Sequence, residues 1–567
     1  MTIKTALLGA AATMALLPAA AMAERGMDGD VKVLYSQAIS TMNPYLSSGT
    51  KDTDAASLVL EPLAGFDPKG EIFPRLAAEI PSRDNGGISE DLKTITWKLK
   101  PDLKWSDGSP VTADDAVFTA QYCMAPDGGC AQLARYEGVE KVEAVDPLTV
   151  KVTFTEPKPN PFTIFVSATA PILQKAQFEP CLGTAASSCT DQNFRPIGTG
   201  PFMVKDFKTN DVVLLEANPN YRDPAKPAFA TMTLKGGGDA AAAGRAVMET
   251  GEFDYAWNTQ VSPEVQEQMK AGGKGEFVSA YGTLVERIEL NMTDPSSTLA
   301  EGERATAKHP HPILGDPKVR AALSMALDRQ LLAELGYGEA GKPTCDLVPA
   351  PEAYAANNTS CLQQDVEGAK KLLDEAGWTV GGSGIREKDG KPLKLLFQTS
   401  VNPVRQDFQA LVKQWWQEIG VDSELKTVDG SVFFGGDAGS PDTMQKFYSD
   451  VEMYANNFDG TDPEPYLAER TCNKAPGPDN QWQGQNINRF CDPAYDAMVV
   501  ELSHTSDEAK RGELAKKLNN MLTVESNSML PLVSRARFSA KSKSLGGIDL
   551  NVWDSELWNA SDWFRVK

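Results

Sequence analysis

Three histidines in 567 residues leave catalysis little to work with. His309 and His311 lie in a His-Pro-His-Pro run inside a polar insertion, and His504 stands between Ser503 and Thr505 at the end of a helical stretch. Surface-loop positions are expected for all three, rather than a general base or a metal ligand. A GxSxG elbow, an HExxH pair and a Walker loop are all missing, which removes the commonest hydrolase and nucleotide-binding designs. No CxxC occurs, so a thiolate metal site has no scaffold, and neither metal, cofactor nor catalytic residue is expected. Positive charge is also short: 55 Lys and Arg face 77 Asp and Glu, a formal charge of -22 that makes nucleic acid and anionic membranes poor partners. Beyond the N-terminus no run approaches about 18 apolar residues, the length a spanning helix needs. Carboxylates are too abundant for any pair to be informative, so a secreted hydrolase working with Asp and Glu stays open as a reading from another class.

What is present begins with a leader. Lys4, the apolar run Ala6 to Leu17, Pro18 and the small-residue ending Ala21-Met22-Ala23 form a secretory signal peptide, cleaved near Ala23. No cysteine stands nearby to take a lipid. The remaining chain is expected to be soluble and, in a Gram-negative cell, periplasmic. Its 544 residues (567 - 23) exceed one compact core and fit two or three domains. Eight cysteines form an even set in an exported chain. Their order points to nearest-neighbour disulfides, Cys123 with Cys130, Cys181 with Cys189, Cys345 with Cys361 and Cys472 with Cys491, among the 105 connectivities that eight cysteines allow. Each would contribute on the order of 2–4 kcal/mol.

The most legible segment is Thr94 to Tyr122. Ile95, Trp97 and Leu99 alternate with Thr94, Thr96 and Lys98, the period of a strand with one buried face. The Ser106-Asp107-Gly108-Ser109-Pro110 cluster then turns the chain, and Thr112 with Asp115 caps a helix expected from Ala113, with Ala116, Val117 and Ala120 facing inward. Further on, Gly198 and Gly200 in GTGPF lack the Lys-Ser or Lys-Thr of a phosphate loop and read as a structural turn. An Ala-rich helix after Gly236-Gly237-Gly238 leads through Thr250–Asp254 to a strand at Tyr255–Asn258. Asp316 and Pro317 open an amphipathic helix reading DPxVRxALxxAxDR. Val366–Ala376, Leu393–Phe397 and Gln406–Ile419 then repeat helix, strand, helix, with Trp415 and Trp416 as packing anchors. Helices alternating with strands in both halves give an α/β class.

The strand, WSDG turn, TADD cap and helix resemble the signature of the family 5 extracellular solute-binding proteins, the peptide, nickel and opine receptors of ABC importers. GTGPF, the GE-x-D turn and DPxVRxALxxAxDR are similar to the same family. The resemblance implies a two-lobed periplasmic-binding-protein fold of type II in its three-domain form. Domain I would comprise 24–61, 198–285 and 525–567, domain II the insertion 62–197, and domain III, the second lobe, 286–524. It implies capture of a small ligand, most readily a peptide, by a monomer that delivers it to an inner-membrane permease. A receptor for an opine, a sugar or another small amphiphile is the alternative within the family.

For the ligand, Ser449 to Arg470 is the informative stretch, SDVEMYANNFDGTDPEPYLAER. In peptide-binding relatives an Asp three residues before an Asp-Pro pair fixes the ligand ammonium, and Asp459 matches that position. Tyr35, Asn43, Trp257, Asn258, Ser400, Tyr454, Asn456 and Asn457 complete the expected cleft. Two departures from the family pattern count against a strict dipeptide preference: Asn456 stands where peptide receptors carry Trp, and Gln398-Thr399-Ser400-Val401 replaces the Arg and Tyr that dipeptide receptors place before Asn402-Pro403. Arg405, two residues later, is open to two readings, a substitute for that Arg or the start of the following helix, and the helix start is the one expected.

Overall fold

The computed structural model describes residues 24–300 and 302–566, so the leader expected at 1–23 lies outside the described residues. Two sheets organise the chain. A seven-stranded sheet runs in the order Gly275–Ala280, Arg537–Ser542, Tyr255–Trp257, Asp30–Tyr35, Thr231–Lys235, Val212–Ala217, Phe202–Lys208. A six-stranded sheet runs Gly341–Pro343, Met529–Arg535, Val285–Leu290, Val451–Asn456, Lys394–Ser400, Asp422–Val428. Each has a parallel centre: Asp30–Tyr35 is parallel to both its neighbours, and Lys394–Ser400 to both of its own. Toward their carboxyl ends such strands are covered on both faces, which is why the consecutive residues Val33, Leu34 and Tyr35, and Phe397, Gln398 and Thr399, are all buried.

The segment Thr94–Lys98 forms the edge of a three-stranded sheet with Thr149–Phe154 and Val139–Asp146. Its inward side chains Ile95 and Trp97 are buried, and the helix Ala113–Met124 starts with a Thr112/Asp115 capping box in which Asp115 also accepts from Thr112 N at 2.9 Å. The GTGPF turn packs against this unit. Ser106 N donates to Gly198 O at 2.9 Å, and a Cβ at Gly200 would meet Leu58 O at 2.6 Å, so the close backbone approach requires glycine. All eight cysteines pair with their nearest neighbours as the sequence order indicates. Among the described residues no helix is long and apolar enough to cross a membrane.

The DPxVRxALxxAxDR stretch forms the helix expected of it, Pro317–Met325, opened by Asp316; it stops short of the motif's end, where Asp328 caps a second helix, Arg329–Gly336, through Leu331 N at 2.9 Å. Two expectations change. His311 is buried, at 4 % exposure: its Nδ1 accepts from Ile313 N and Leu314 N, so the proton sits on Nε2, which donates to Asp450 Oδ1 at 2.8 Å. The strand Met529–Arg535 belongs to the six-stranded sheet, where it pairs with Val285–Leu290, so that sheet extends beyond the 286–524 range expected for the second lobe. The chain crosses between the two sheets at 281–284 and again at Ala536.

Candidate ligand-binding cleft

The carboxyl ends of the parallel strands in both sheets point toward one crevice, the usual place for a ligand in open α/β sheets. Trp257 ends one strand and Asn456 ends another. Two small adjoining cavities lie in the crevice, of about 60 and 80 Å³. Their common wall is made by Ser48, Thr50, Asp54, Asn456, Asn457 and Arg537.

The first cavity carries a cationic set held on a carboxylate frame. Trp257 stacks on Tyr35 with centroids 4.9 Å apart and donates Nε1 to Asp54 Oδ2 at 2.9 Å. Asn258, at φ 51°, turns the chain out of its strand; left-handed backbone is tolerated best by Asn among side-chain-bearing residues. Arg405, in the first turn of the helix Pro403–Glu418, donates Nε to Glu286 Oε1 at 2.6 Å, and Arg535 Nε lies 3.5 Å from the same carboxylate. Those guanidinium groups hold the buried Glu286 carboxyl below its ordinary range despite burial. Lys51 is spent on Asp52 at 2.8 Å. Phe434 and Met444 form the apolar part of the wall.

The second cavity is acidic. Asp459 Oδ2 accepts from Thr169 Oγ1 at 2.8 Å, from Ser167 Oγ at 3.0 Å and from Arg135 Nη2 at 3.4 Å. Among the described residues, no protein donor reaches its Oδ1. Beside it Asp554 accepts from Ala168 N and Phe66 N, and burial together with the Asp459 charge pushes its carboxyl up to about 6. Burial does the same to Asp54, with Arg537 opposing and Glu556 adding to the rise. Asp462 and Glu469 complete the acidic lining, the former paired with Arg511. A cleft with cations toward one end and carboxylates toward the other favours a ligand that carries both signs of charge.

Comparison with known proteins bears on this geometry directly. Residues 71–476 match the bacterial extracellular solute-binding proteins, family 5 (middle region). The chain belongs to that family. It is therefore a solute-binding protein of the ABC importer class. The glutathione-binding protein GsiB of Salmonella paratyphi A is 24% identical over 554 residues, spanning 96% of this chain and 95% of the relative. GsiB of Escherichia coli O157:H7 is 23% identical over 532 residues, 91% of each chain. Among solved structures, the oligopeptide-binding protein AppA of Bacillus subtilis, in complex with a nonapeptide, superposes with a TM-score of 0.81 at 22% identity, covering 96% of this chain and 100% of that one. The Escherichia coli murein tripeptide binding protein MppA gives 0.77 at 21% identity, covering 96% and 99%. These likenesses establish the two-lobed fold.

Within this solute-binding protein, Trp257, Asn258 and Tyr454 line the first cavity, Asp459 the second, and Asn456 and Asn457 both. Tyr35, Asn43 and Ser400 reach neither. Tyr35 is buried behind Trp257. Asn43 accepts from Tyr45 N, capping a short turn, and donates to Tyr122 Oη and Asn193 Oδ1. Ser400 accepts from Arg405 Nη1 at 2.8 Å, which makes it a support for a lining residue. Lys51, Asp54, Arg135, Arg535, Arg537 and Glu556 were not anticipated. For two of them a sequence signal exists: Arg535 and Arg537 are spaced i, i+2 next to an apolar strand in a strongly acidic chain.

Proposed function

We propose that this receptor works in the periplasm after cleavage near Ala23, as a monomer, capturing a peptide between its lobes and delivering it to an inner-membrane permease. The lobes read as 24–284 together with 537–567, including the insertion 62–197, closing on 285–535 about the two crossovers. The observation that carries the peptide reading is the Asp459 carboxylate, half satisfied by protein and with Oδ1 left for a donor. A ligand ammonium there would make a charge-assisted bond worth about 1.5–3 kcal/mol. The second cavity, lined by polar side chains, can hold waters that bridge to a ligand. Peptide-bound relatives of the same fold and the glutathione-binding relatives support the same substrate class. The test is a thermal-shift screen of peptide pools followed by titration into Asp459→Ala. A shift in melting temperature with every peptide left intact, and a loss of affinity in the variant, agree with the reading; an unchanged affinity for the best ligand sinks an ammonium anchor at Asp459.

A further inference from the structure

Among the cations that line the two cavities, each but one has a carboxylate partner. Lys51 is bound to Asp52, Arg405 and Arg535 approach Glu286, and Arg135 reaches Asp459. Arg537 has none within ion-pair reach among the described residues. It is 6 % exposed, its Nη1 is buried without a hydrogen-bond partner, and it stands in the wall common to both cavities. The nearby carboxylates are committed elsewhere: Asp54 accepts from Trp257 Nε1 and Glu556 N, and Glu556 Oε1 from Tyr255 Oη and Ser539 Oγ.

Asp54 feels the Arg537 charge, but no carboxylate oxygen among the described residues comes within ion-pair distance, and a buried guanidinium short of hydrogen-bond acceptors is destabilising unless a ligand supplies them. The planar fork of Arg suits a carboxylate, which it can grip through two parallel bonds. Arg537 opens its strand directly after the Ala536 crossover, so an anion bound there would also sit at the joint between the sheets. We propose that Arg537 seats the α-carboxylate of the ligand, with the ligand ammonium toward Asp459. This assignment rests on the peptide reading above and narrows it to peptides with a free C-terminus.

Three pools of di- to tetrapeptides test it, each offered to the wild-type chain, Arg537→Lys and Arg537→Gln, with retention read by native mass spectrometry. The first pool has free C-termini and lacks Asp and Glu, the second is the same set amidated, and the third is amidated and contains Glu. The wild type is expected to retain the free-acid pool at least tenfold over the plain amides. Arg537→Gln is expected to lose that preference while melting no lower than the wild type without ligand, and Arg537→Lys to retain part of it. Equal retention of acid and amide pools by the wild type overturns the inference without any variant, as does a preference that survives in Arg537→Gln. Selective retention of the Glu-containing amides overturns it in favour of a side-chain carboxylate. Retention of no pool overturns the peptide reading itself, and this inference with it.

Discussion

Asp459 on the loop after Val451–Asn456 accepts a hydrogen bond from Thr169 Oγ1 at 2.8 Å, so one carboxylate both faces the cavity and ties the two sides of the cleft together. Its role in holding the cleft and its role in binding a ligand can therefore be separated by isosteric substitution. Asp459→Asn keeps an acceptor for Thr169 and Ser167 but removes the charge that meets Arg135 and a ligand ammonium. Affinity for peptides with a free N-terminus is expected to fall about 10- to 100-fold by calorimetry, with N-acetylated peptides affected equally little in both proteins.

Lys158 and Glu464 form a second contact across the cleft, at 3.6 Å with both side chains largely buried. Removing the cation in Lys158→Met leaves Glu464 buried without it, which disfavours the closed arrangement. Solution scattering without ligand should give a larger radius of gyration for the variant than for the wild type, with the difference shrinking when a ligand is bound. Identical radii in both states would show that this pair does not contribute to closure.

The Cys472–Cys491 disulfide encloses the segment whose Gln485 donates to Ser48 Oγ at 2.8 Å and Ala131 O at 2.6 Å on the opposite side. Replacing both cysteines with Ser is expected to cost about 2–4 kcal/mol in denaturant unfolding and to weaken ligand binding as well. Replacing Cys181 and Cys189, which are remote from both cavities, should cost stability alone.

Acidity provides an independent handle. Asp54 and Asp554 are each pushed up to about 6, against an ordinary Asp value near 4. The folded state thus holds protons that the unfolded chain has released, so their contribution to stability is full below about pH 4 and is lost as pH rises through 6. The slope of melting temperature against pH between 5 and 7 should be flatter in Asp554→Asn than in the wild type. A ligand ammonium beside Asp554 requires the ionised carboxylate, so affinity should rise over the same interval in the wild type and less so in the variant.

Local chemistry in the sequence announced the strand and capped helix at 94–124, the disulfide order and the turn at 198–202, because each depends on neighbours a few residues away. The position of Met529–Arg535 was not legible: its apolar pattern fits either sheet, and only the ladder with Val285–Leu290 decides between them. The cleft was legible where it follows a strand end, at Trp257 and Asn456. It was missed where a charge becomes part of the site through burial, as at Asp54 and Glu556, since exposure of a single polar residue has no periodic signature. Asn43 misled for the converse reason, an early loop that turns its amide into the protein and bonds Tyr122.

Release and mass spectrometry of whatever the wild-type receptor retains when purified from its native compartment test peptide capture most directly. Intact peptides with free amino and carboxyl termini, depleted in parallel preparations of Asp459→Ala, are the predicted result. A sugar, an opine or a metal chelate in their place, at the same occupancy in the variant, would contradict it.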